Sequence, residues 1–232
     1  MKKLTLFLLV FIFITASVHA DIKIVAVKGD VQVRRGVNEQ WLPAASGDVL
    51  KPEDSMKSGK KSSAVIVIDG KNKIAVPELV IIDCSDLRKL TQEQLLLMLA
   101  MESVRSVPTE RHQDELTIPR TTTIHGESQE AITPTTPTHS KAGFLQLNGT
   151  KVLYSQGFYA TCVLKAKEVF RLNPDLMNMI EMRFMVANAF ERMELNGEAL
   201  GEYRSLTRGH LTSQQRSLVE QKISQLGKKN KG

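Results

Sequence analysis

The stretch GDVLKPEDSMKSGKKSSAVIVIDG, Gly47 to Gly70, decides how the first third of this 232-residue chain is read. Its β-branched side chains gather in SAVIVI, Ser63 to Ile68, and that run ends on Asp69-Gly70. Asp-Gly between β-branched runs signals a hairpin, because Gly accepts the positive φ of a tight turn. KIAVPELVII follows, and Pro77, with no N–H to give a ladder, marks an edge or the end of a strand. The stretch also holds four lysines and no His, Cys or Arg. It therefore reads as a small sheet with a charged rim, built to be held by something else.

Upstream, IKIVAV alternates and puts Ile22, Ile24 and Ala26 on one face. Lys28-Gly29-Asp30 is a turn, and VQVRR resumes the alternation with Val31 and Val33. Trp41, the single tryptophan, is expected to plug the end of the sheet core. Residues 21–90 thus form a β-domain.

Downstream, Thr91 and Gln94 make a capping box, which predicts a helix from Gln92 to about Val104. Its Leu95, Leu96, Leu97, Leu99 and Met101 are too many for one stripe, so a second surface, in the same chain or another, must cover some of them. Residues 105–141 are rich in Thr and Pro and read as a linker. Its histidines His112, His125 and His139 lack metal-ligand spacing. Residues 142–227 read as helical hairpins. In GFYATCVLKAKEVFRLNP, Gly157 ends one helix, and Cys162, Ala166 and Val169 recur on one face of the next, which Pro174 closes. Ala187, Phe190, Ala199 and Tyr203 take matching places in a second unit. Cys162 and Ala199 lie 37 residues apart, near the ~34-residue period of helical-hairpin repeats. Thr212 and Gln215 form another capping box, and the last helix, with Leu218 and Ile223 apolar, reads as a polar cap. Residues 228–232 are a basic tail. The fold class is multidomain: all-β, then a flexible linker, then all-α.

The first residues, MKKLTLFLLVFIFITASVHA, set the compartment. Lys2 and Lys3 precede thirteen nearly unbroken apolar residues, and Val18 and Ala20 place small side chains before Asp21. This is the pattern of a signal peptide over 1–20, and the run falls short of the ~20 residues of a membrane span. The expectation is a periplasmic or otherwise exported chain with no membrane span after cleavage. Without Lys2 and Lys3 the 31 basic residues become 29, against 25 acidic, a mild net charge. With little aromatic interleaving among the lysines, nucleic acid is not an expected partner.

Chemistry is sparse. Cys162, the obvious nucleophile, falls at a small-residue packing point, where a buried thiol is inert. There is no phosphate-cradling glycine loop and no zinc spacing, so no cofactor, metal or catalytic residue is assigned. Helix phase instead offers Tyr154, Arg183, Asn188, Glu191 and Arg192 as a protein-binding face. Lys57, Lys60 and Lys61 are candidates for contact with an anionic polymer.

Gly29, Val31, Val33, Trp41, Gly47-Asp48-Val49-Leu50, Asp54, Ser58, the SSAVIVIDG turn and Ile74 resemble the β-domain of the FecR-like family over about residues 23–82. Glu53-Asp54 stands where that family has Gly-Asp, and Ser58-Gly59 where it has Thr. The C-terminal part, about residues 142–226, resembles tetratricopeptide repeats, with Cys162 in place of the usual Ala. The resemblance implies an extracytoplasmic β-domain that contacts another protein or the cell wall. The regulators that founded the first family act from a cytoplasmic segment, which a cleaved export signal would not leave behind. The expected function is an exported non-catalytic adaptor that binds another envelope protein or peptide. The alternatives are a peptidoglycan-binding module and an extracytoplasmic sensor that modulates a membrane-bound regulator.

Overall fold

The computed structural model describes residues 22–106 and 138–229. The signal peptide expected over 1–20 and nearly all of the linker expected over 105–141 lie outside them. Eight strands come first: β1 (Ile22–Lys28), β2 (Val31–Arg34), β3 (Trp41–Pro43), β4 (Val49–Leu50), β5 (Ser55–Ser58), β6 (Ser63–Ile68), β7 (Asn72–Val76) and β8 (Val80–Asp83). They make two antiparallel four-stranded sheets, ordered β4-β1-β6-β7 and β3-β2-β5-β8. Among the described residues six α-helices follow: α1 (Gln92–Ser106), α2 (Thr138–Ser155), α3 (Tyr159–Leu172), α4 (Ile180–Arg192), α5 (Asn196–Leu206) and α6 (Ser213–Lys229). The chain is thus a mixed β region and helical region.

Alternation builds the sandwich. Ala64, Ile66 and Ile68 of β6 face inward, with Ile74 and Val76 of β7 beside them. Val31, Val33 and Met56 of the second sheet close on the same core. Asp69 and Gly70 both carry positive φ, as the Asp-Gly hairpin requires. Ala26 departs from expectation. A bulge between Ile24 and Ala26 shifts the register, and Ala26 points to solvent. Trp41 also departs: it is half-buried on β3, at one end of its sheet, and is not part of the core.

Both capping boxes form. Thr91 and Gln94 exchange hydrogen bonds of 3.0 and 3.2 Å, as do Thr212 and Gln215. Gly157, at φ 79°, ends α2. In α6 the buried positions are Val219 and Leu226, and Ile223 packs against the same core as expected, whereas Leu218 is exposed and its neighbour Val219 takes the inward place.

The helices dock on the sandwich. Strand β8 is the end of its sheet, and α2 lies against it. A Cβ at Gly149 would sit 2.1 Å from the Ile81 carbonyl oxygen, so only glycine permits this approach. Asn148 Nδ2 donates to the Leu79 carbonyl at 2.9 Å, one partner for an edge that would otherwise be open. Val152, Leu153, Phe158 and Cys162 enter the sandwich core. Cys162 therefore packs against the sheets and not simply between paired helices. A polar latch borders this seam. Lys165 Nζ of α3 reaches Asp83 at 2.7 Å and Glu168 at 2.9 Å, and Ser55 Oγ donates to Asp83 at 2.6 Å.

Helix α1 packs within its own chain. Leu95 is fully buried in the helical core, and Leu99 packs against it. Glu102 pairs with Arg171 of α3.

Candidate functional site

Placing α1 on α3 makes a wall, and α5 makes the facing one. Between them lies a cleft of about 650 Å³. Its floor is apolar: Phe170 of α3 with Val186 and Phe190 of α4, all nearly buried. Pro174 and Met177, from the 3-10 turn Pro174–Asn178, also line it. The rim is charged. Arg171 pairs with Glu102 and Lys167 with Glu202. Arg183 Nη2 donates to Ser205 Oγ at 2.7 Å, so among the three cations it alone meets a neutral partner. Gly201 of α5 lines the cleft, and a Cβ added there would meet nothing within 4 Å.

Of the five residues picked by helix phase, Arg183 lines this cleft. The others do not gather with it. Tyr203 donates its hydroxyl to Glu191 at 2.6 Å and lies 3.0 Å from the Asn188 side-chain amide, and Lys222 Nζ reaches Glu191 at 2.9 Å. That network ties α4, α5 and α6 together. Burial, then the Glu191 carboxylate, drives the Tyr203 hydroxyl far above the usual phenol range, so it stays a donor. Tyr154 sits edge-on to Tyr159 at 5.2 Å. Arg192 is exposed. Sequence reasoning missed Glu102, Lys167, Phe170, Arg171 and Glu202. The one available signal was the double-faced apolar pattern of α1, which requires a cover but does not name it.

On the sandwich, Lys57 and Arg34 both lie over the Trp41 ring, at 4.6 and 5.2 Å. Arg34 Nη2 donates to Ser55, while its buried Nε has no partner. Lys60 and Lys61 are exposed in the turn after β5, where the Lys61 amide donates to Glu78. Lys57 is thus engaged on a ring while the other two face solvent.

Cys84 and Cys162 are free and buried in the same core. Burial pushes both thiols up to about 12, helped at Cys84 by the Asp54 and Asp83 charges. Neither is ionised at neutral pH, so neither is an activated nucleophile. No protein-family model, curated protein or solved structure matches this chain.

Proposed function

We propose that this chain is an exported, non-catalytic adaptor of the cell envelope, made of a FecR-like β-domain and a tetratricopeptide-like helical domain. It holds a partner protein or peptide in the cleft between α1 and α5. The cleft carries the reading. Its floor takes one or two apolar side chains of a partner, and its rim offers Glu102, Lys167, Arg171 and Glu202 already oriented by ion pairs. An apolar floor inside a charged rim is the layout of a recognition surface, with a dry centre and a polar border. The partner's apolar anchors supply affinity and the rim supplies register.

Gly201→Trp tests this. Gly201 is exposed at the cleft and a Cβ there meets nothing within 4 Å, so the fold is expected to keep its melting temperature within about 2 °C. A photo-crosslinker at Ser103 in intact cells is expected to trap one major partner in the parent protein and to lose it in Gly201→Trp. Capture that is indifferent to the tryptophan contradicts the assignment.

A second reading rests on the Trp41 surface. An indole flanked by Lys57 and Arg34 suits an anionic glycan such as peptidoglycan. Retention of the chain from Asp21 onward on insoluble wall, lost in Lys57→Glu but kept in Gly201→Trp, favours that reading over the first.

A further inference from the structure

Thirteen large apolar side chains are exposed among the described residues, and five of them sit on α1. They are Leu96, Leu97, Met98, Met101 and Val104; Leu97 is 65% exposed and Val104 73%. Leu97, Met101 and Val104, spaced by four and three, make one stripe. Leu95, Leu99 and Glu102 fix the opposite side to α3, so the stripe is held outward by a folded body.

We propose that the outer face of α1 docks on an anionic lipid bilayer, lying in the headgroup layer without crossing it. Two observations select this occupant. The first is charge. Arg88 and Lys89 are exposed just ahead of the helix, and Arg105 is 63% exposed at its end, against one acid, Glu93, on the outer side. Arg105 reaches Glu102 only at 3.8 Å. Basic side chains at both ends of an apolar helical face suit an anionic interface. The second is area. A 15-residue helix is about 22 Å long, and one face of it offers roughly a few hundred Å², short of the roughly 800 Å² per partner of a stable protein pair. Insertion into the headgroup layer needs only that face. No helix among the described residues is long and apolar enough to cross a membrane, so the docked helix would lie on the bilayer and not through it. Docking does not depend on the adaptor reading, but it would set the cleft, whose wall is the flank of α1, close to the bilayer.

The test is vesicle flotation of the chain from Asp21 to Gly232. The vesicles are equal parts phosphatidylglycerol and phosphatidylcholine, or phosphatidylcholine alone. Partitioning is expected to be about tenfold stronger on the anionic vesicles and to weaken with added salt. Leu97→Ser with Met101→Ser and Val104→Ser should lower it about tenfold or more, while the melting temperature holds. Arg88→Gln with Lys89→Gln and Arg105→Gln should bring the anionic vesicles down to the neutral level. No partitioning on either vesicle overturns the proposal, as does partitioning that ignores the serine variant. A solution dimer that the serine variant makes monomeric overturns it too, since a second copy would then be the occupant.

Discussion

Gly149→Ala is expected to lower the melting temperature by about 2–12 °C, although alanine is the better helix former. The new methyl would fall 2.1 Å from the Ile81 carbonyl oxygen, and that oxygen belongs to the backbone of β8 and cannot swing away. Either α2 lifts from β8 or the strand moves. Both disturb the Asn148–Leu79 hydrogen bond and the packing of Val152 and Leu153 in the sandwich core. Overpacking of this kind costs about 1–3 kcal/mol, and each kcal/mol is about 2–4 °C for a chain of this size. Gly201→Ala is the control. It meets open space on α5 and is expected to stabilise by about 0.5–1 kcal/mol through helix propensity alone. Thermal unfolding of the two alanine variants side by side should move in opposite directions. A neutral Gly149→Ala would mean that α2 does not lie on β8.

The second large effect is electrostatic and centres on Lys165. At Asp83, burial pushes the carboxyl up, but the Lys165 charge and hydrogen bonds from Lys165 and Ser55 outweigh it and hold it below its usual value. At Asp86 burial prevails. With the Asp83 and Glu168 charges nearby, it is pushed up to about 7 against the pull of Lys165 and Arg88. The two carboxyls act on stability in opposite senses. The Asp83 contribution is present above its unfolded value near 4 and is lost as pH falls through its lower folded value. Asp86 favours the fold while protonated. Its contribution is complete below about 4 and is lost as pH rises through about 7. Stability is therefore expected to peak near pH 4 and to decline by on the order of 2–4 kcal/mol up to about pH 7, levelling off by pH 8, allowing for the solvent contact Asp86 keeps. Asp86→Asn should flatten that decline and raise the melting temperature at pH 8. Lys165→Met should do the reverse, costing about 2–4 kcal/mol at neutral pH by leaving Asp83 and Asp86 without their cation. Melting curves of the three proteins from pH 4 to pH 8 check all of this. A decline that survives Asp86→Asn would assign the titration elsewhere.

Local features were legible in the sequence because their chemistry is local. Thr91 with Gln94, Thr212 with Gln215, Asp69-Gly70 and Gly157 each name their own geometry within a few residues. Alternation gave the core of β6, and failed at Ala26 because a bulge resets the period with no residue that announces it. A single tryptophan among strands reads as a plug at the end of the core, whereas Lys57 and Arg34 give the ring a partner outside it. In α6, Leu218 and Val219 are adjacent, and only the packed partner decides which faces in.

The cleft was not legible. Its wall depends on Glu102 meeting Arg171, 69 residues away, across a segment that no spacing rule bridges. The seam has the same character. Gly149 in a helix looks like a weakness until β8 is placed beside it, and Lys165 looks like a solvated lysine until Asp83 and Asp86 are. Arg183 was found by phase because it shares α4 with the floor residues Val186 and Phe190. Asn188 and Glu191 lie on the same helix but turn toward Tyr203 and Lys222.

The account depends on the sandwich and the helices being one body, since that holds α1, the seam and the cleft in fixed relation. Differential scanning calorimetry of the chain from Asp21 to Gly232 tests this most directly. One transition is expected, with calorimetric and van't Hoff enthalpies equal, moving as a whole in Gly149→Ala. Two transitions, with the helical one untouched by Gly149→Ala, would contradict it.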